Sequence, residues 1–99
     1  MNPAKVDRKR LRALTDLPNI GAACAEDLRR LGITDPVQLC SADPYALYEQ
    51  LCIVRQQRID PCMLDVFISI TRFMDGEDAQ PWWAYTAERK ATLAKRGLV

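Results

Sequence analysis

The stretch with the strongest chemical content is Leu17-Pro18-Asn19-Ile20-Gly21-Ala22-Ala23. Pro18 has no amide proton and stops whatever helix precedes it. Asn19 and Gly21 flank Ile20, and both residue types tolerate positive φ, so the chain can reverse sharply while Ile20 turns inward. A second helix then begins at the turn, with Cys24, Ala25, Leu28 and Leu31 at helical spacing and Gly32 placed for a left-handed cap. Such a helix start offers several amide protons without internal partners, and the positive end of the helix dipole. Its natural ligand is an anion, above all a phosphate. The amides of Ile20, Gly21, Ala22 and Ala23 are the expected donors, with Asn19 shaping the turn.

Cations upstream match that chemistry. The pattern predicts a first helix over residues 4–15, and at 100° per residue Lys5, Arg8, Lys9 and Arg12 share one arc of about 100°. Either this stripe attracts phosphate over distance, or it is the solvated face of an amphipathic helix. The formal net charge is only +1, but its distribution is uneven. Residues 1–12 carry +4 and residues 88–99 carry +3, around an acidic body of −6. Basic ends on an acidic body suit phosphate contact, and they also suit two solvated terminal helices.

Other chemistries find little support. The chain has no histidine, no nucleophile has an evident base, and its acids sit mostly at helix starts and solvent positions. An enzyme is not expected, and no cofactor is implied. Cys24, Cys40, Cys52 and Cys62 include no closely spaced pair, which argues against a structural zinc site. Each lies in or beside an apolar helical pattern, and all four are expected as buried, reduced thiols.

The elements that must hold the turn are helical throughout, and all 99 residues are expected to form a single domain. Apolar residues make up 48% and charged residues 27%, ordinary values for a globular protein. No apolar run approaches the ~18 residues of a membrane span, and the first residues are charged rather than a signal-peptide core, so no membrane partner and a cytoplasmic setting are expected. Thr34 or Asp35 caps a short helix from Pro36, and Asp43-Pro44 opens a longer one with Leu47, Leu51 and Val54 on one side. Asp60-Pro61 opens the most apolar helix, over residues 61–75, which is expected at the centre. Gln80-Pro81-Trp82-Trp83 leads into a basic helix within residues 80–97. One tryptophan is expected on the bundle and the other partly exposed, where it pins the segment or stacks on a base.

The turn and its flanks, residues 10–33, resemble the helix-hairpin-helix motif of non-sequence-specific DNA-binding proteins, with Asn19 in place of the first glycine. More widely, Leu17-Pro18-Asn19-Ile20-Gly21, Leu31-Gly32-Ile33, Asp43-Pro44, Leu47-Tyr48, Leu51-Cys52, Ile59-Asp60-Pro61-Cys62, Val66-Phe67 and Trp82-Trp83 resemble the small bacterial "pathogenicity locus" family, some of whose members are called mitomycin-resistance proteins. The first half is also similar to the C-terminal domain of the competence regulator TfoX. The resemblance implies an all-α fold: a compact bundle of five to six short helices around a helix-hairpin-helix (SAM-like) unit. Leu51, Val54 and Ile59 would build a degenerate second unit. It also implies DNA binding without catalysis. One departure weakens the implied ligand: Ala22, Ala23 and Cys24 stand where DNA-gripping hairpins often carry Lys or Arg, and Glu26 and Asp27 follow one turn on, with Glu26 spaced to pair with Arg30. The rival expectation is therefore a protein-interaction module that keeps the hairpin as architecture.

Overall fold

A computed structural model describes residues 6–97. Among them the chain is all-α: α1 spans Ala22–Arg30, α2 Pro44–Arg55, α3 Cys62–Met74 and α4 Thr86–Lys95. Four 3-10 turns, Arg8–Arg10, Leu14–Asp16, Pro36–Leu39 and Trp82–Tyr85, complete the pattern. The helices are thus fewer than the five to six expected, because several short segments close only as 3-10 turns.

The start signals act through the side chains that the sequence put beside each proline. Asp35 accepts from the Val37 amide at 2.9 Å and Asp43 from the Tyr45 amide at 2.9 Å, each with proline at the next position. Asp60 accepts from the Cys62 amide at 2.8 Å. Gly32, at φ 84°, closes α1: its amide reaches Arg29 O, and the next amide, Ile33, reaches Leu28 O. The C-terminus of α2 closes the same way around Gln56, which adopts φ 53° without glycine's freedom.

Every residue from Leu64 to Thr71 is buried, so α3 runs through the interior with no solvated face. On one side Leu14, Leu17, Ile20, Leu28, Leu39 and Leu51 pack around Phe67 and Ile70. On the other, Tyr45 and Tyr85 pack around Leu64 and Ile68. Such a position forces its polar residues to find partners. Thr71 donates back to the Phe67 carbonyl at 2.9 Å, and Ser69 to the Val66 carbonyl at 2.6 Å. Asp65, fully buried, receives Arg89 Nε at 2.9 Å and the Thr86 hydroxyl at 2.7 Å, which ties α4 to α3. Hydrogen bonding to Asp65 raises the Arg89 pKa further.

Of the N-terminal helix expected over residues 4–15, the described part, residues 6–15, is not α-helical. Two 3-10 turns replace it, separated by extended backbone at Leu11 and Ala13. One long-range demand and one local one outweigh helix propensity there. Arg8 turns inward and Asp16 folds back to accept from the amides of Arg12 and Ala13, at 2.9 and 2.8 Å. These two amides hold the Asp16 carboxyl below the usual aspartate range. A depressed pKa means that the contribution is present above the ordinary aspartate value and lost as the pH falls through the folded one. Acidification is therefore expected to shift the Arg12 and Ala13 amide resonances together with the Asp16 carboxyl. In Asp16→Asn neither amide should titrate.

Two further expectations are corrected. Cys40 is exposed, and Cys24, Cys52 and Cys62 are only half-buried; all four are free thiols. In the proposed second unit Leu51 and Ile59 are buried as expected, whereas Val54 is 49% exposed, since α2 turns that edge away from α3.

Candidate nucleic-acid interface

The turn is built from Leu14, Leu17 and Ile20, all buried, with Leu17 N donating to Leu14 O at 3.1 Å. Ile20 plugs the core and contributes about 1.5–3 kcal/mol by its burial. Asn19 carries the reversal at φ 65°. Its side chain is not offered to a ligand: Nδ2 donates to Ser69 Oγ at 3.0 Å and to the Gln80 carbonyl at 2.8 Å. Asn19 thus does by side-chain anchorage what a glycine in this place could not.

Gly21 differs from its expected role. At φ −97° and ψ −171° it is extended, a conformation open to any residue, and a Cβ there would meet nothing within 4 Å. The absence of a side chain has one chemical consequence. Gly21 is the N-cap of α1, and no side chain caps the helix start. Gly21, Ala22 and Ala23 are all exposed, so the first α1 amides face solvent bare. Cys24 follows, its thiol pushed up by burial against the opposing pull of the Gly21 amide.

The cations expected beside this start are only partly available. Lys5 lies outside the described residues. Arg8 is engaged: Nη1 donates to the Phe73 carbonyl at 2.6 Å, Nη2 to the Glu77 carbonyl at 2.7 Å, and its guanidinium lies 3.9 Å from the Phe73 ring centroid. It caps the negative end of α3 rather than reaching for phosphate. Lys9 and Arg12 are exposed and make no ion pair among the described residues, while exposed Arg10 pairs with Asp7 at 3.5 Å. The helical stripe is gone, yet proximity survives by another route. Asn19 is anchored to Ser69 and Arg8 to Phe73, four residues on and so on the same face of α3. The basic N-terminal segment and the turn therefore share one side of the molecule.

The acids one turn into α1 are largely neutralised. Glu26 pairs with Arg29 at 3.3 Å, not with Arg30. Asp27 takes Arg30 at 3.7 Å and Arg55 from α2 at 3.4 Å. Beyond Gln80, Trp82 is half-buried and Trp83 is 63% exposed, the two rings edge to face with centroids 5.5 Å apart. Sequence reasoning missed Ser69 as the anchor of Asn19 and Asp65 as the anchor of α4. Both are polar interruptions, four residues apart, in an otherwise apolar helix, and that spacing was the available signal.

A family model described as "Cdd1: Pathogenicity locus" matches residues 7–91. The chain belongs to this family. The match spans the turn, α1 to α3 and the tryptophan pair, and begins after Lys5. Among curated members of wider sequence space, the chain is similar to "Mitomycin resistance protein McrB" of Streptomyces lavendulae, 45% identical over 84 residues that cover 85% of this chain and 80% of that protein. No solved structure matches the chain. Among the described residues no helix is long and apolar enough to cross a membrane.

Proposed function

We propose that this pathogenicity-locus protein is a non-enzymatic module that binds DNA through its phosphate backbone, with no strong sequence preference. The observation that carries the reading is the bare N-terminus of α1. A glycine that neither conformation nor space requires occupies the N-cap, where Ser, Asp or Asn would otherwise satisfy the amides. The turn and α1 act on this reading as a helix-hairpin-helix phosphate grip. The amides of Gly21, Ala22 and Ala23 hold one phosphate, the expected Ile20 donor being wholly buried, and Lys9 and Arg12 meet its neighbours. Amides on phosphate carry no base information, so register and sequence are left free. Mitomycin resistance, the role in the name of the Streptomyces relative, is carried to this chain only as part of this proposal.

The expected affinity is low and its salt dependence shallow. With two or three phosphates neutralised, the slope of log K against log salt on duplex DNA is expected near roughly −2 to −3. A fluorescence-anisotropy titration at several salt concentrations measures it. No binding at low salt with tens of micromolar protein rejects the proposal, as does binding that salt leaves unchanged.

A second reading has its own observation. Ile53 is 75% exposed and Val54 49%, side by side at the end of α2, where Arg30, Leu31 and Gln50 complete a shallow groove. This apolar edge supports a protein-interaction module. Capture of a protein partner that survives nuclease and is lost in Ile53→Asp would favour it over DNA.

A further inference from the structure

Ile53 is the most exposed large apolar side chain among the described residues, at 75%, and Val54 beside it is half-exposed. Gln50 and Ala46, one and two turns back, are exposed on the same side of α2, so no charge interrupts that face. Ile53 stands as a ridge between two shallow grooves. One, about 650 Å³, runs past Glu49, Gln56 and Arg58, and the other, about 270 Å³, lies against Arg30 and Leu31 at the end of α1. A ridge flanked by grooves offers both halves of a helix-to-helix packing.

The charges around the ridge indicate what covers it. Arg30 and Arg55 are both taken by Asp27. Glu49 and Arg58 are exposed and make no ion pair among the described residues. They border the same groove, Glu49 one turn before Ile53 and Arg58 five residues after it. A second copy laid antiparallel about a twofold axis near Ile53 keeps each residue on its own side and reverses the order along α2. Glu49 then meets the partner subunit's Arg58, and Arg58 the partner subunit's Glu49, so both charges are matched. A wholly acidic or wholly basic partner would satisfy one and repel the other.

We propose that the outer edge of α2 is a self-association surface, on which a second copy of this chain packs antiparallel through Ile53 with two Glu49 to Arg58 pairs between the copies. The surface lies at the C-terminal end of α1, away from the bare amides, so it does not rest on DNA binding. It narrows the protein-interaction reading to one partner. So small a face gives a weak dimer, with a dissociation constant on the order of 100 µM.

Sedimentation equilibrium on the nuclease-treated full chain tests it. The average mass is expected to climb from that of the monomer towards twice that value between about 10 µM and about 1 mM protein. Ile53→Asp should remove the rise. Glu49→Arg and Arg58→Glu should each weaken association about tenfold by setting like charges opposite one another. An equimolar mixture of these two charge variants should regain association close to the original, because each supplies what the other lacks. A pair formed within one chain could not be restored in this way. All three positions are exposed, and thermal melts check that the variants are folded. A chain still monomeric at about 1 mM overturns the proposal, as does association that Ile53→Asp leaves intact or a mixture no stronger than its components. Capture of a different protein by a chain that stays monomeric overturns it too, while leaving the protein-interaction reading in place.

Discussion

Arg89→Met is expected to destabilise the protein by about 3–5 kcal/mol, the range for breaking a buried ion pair from one side. Asp65 has no exposure at all and Arg89 only 12%, so removal of the guanidinium leaves a carboxylate inside the bundle with the Thr86 hydroxyl as its remaining donor. The cost is mainly that of the stranded charge, not of the lost attraction. A double variant distinguishes the two. Asp65→Leu with Arg89→Met replaces the pair by apolar groups and is expected to recover most of the loss. Urea unfolding followed by circular dichroism measures both, and at 99 residues a two-state transition is the working assumption. A loss below about 1 kcal/mol in Arg89→Met would mean that Asp65 reaches water, and the account of α4 docking would fall. The Arg72 to Glu88 ion pair also links α3 to α4, but both side chains are over a third exposed, so Asp65 is the contact that decides α4 docking.

Gly21→Asp is expected to weaken DNA binding at least about tenfold while leaving the fold intact or slightly more stable. The geometry favours both halves. Backbone at Gly21 is extended and there is open space for a Cβ, so the new carboxylate can cap α1 and gain about 0.5 kcal/mol from the amides and dipole. The same carboxylate takes the donors that phosphate would use and repels it. Two unit charges about 4 Å apart cost about 1 kcal/mol in water and about 4 near a protein surface, and 1.4 kcal/mol is tenfold. Gly21→Ala is the matched control: with no acceptor added, it should leave DNA affinity close to the original. Anisotropy titrations of the three proteins, with thermal melts alongside, decide the matter. Equal binding by Gly21→Asp would remove the α1 start from the interface.

The sites that local chemistry specifies were legible. Aspartate-proline starts, the Gly32 stop and the apolar run of α3 each act within a turn or two of chain, through caps and periodicity. Ile20 as an inward plug belongs with them, because its flanking residues dictate the turn. The first segment shows the limit. Residues 4–15 have helical spacing, but spacing alone cannot register that the Arg8 side chain has carbonyls of α3 to reach, at Phe73 and Glu77, 65 and 69 residues away. That reach removes one of the cations expected at the turn, and the same segment is brought beside the turn by the α3 face it shares with Asn19.

By itself, then, the sequence determined the all-α class, the helix starts, the central place of α3 and the exposed amides after Ile20, all consequences of neighbours in the chain. Only the tertiary structure decided which polar groups remain free. Arg8, Asn19 and Asp65 are bound by partners between 21 and 69 residues distant, whereas the Gly21 N-cap stays bare. The reason is physical: a buried helix must satisfy its polar atoms from whichever segments pack against it, and packing, unlike periodicity, is a property of the whole fold.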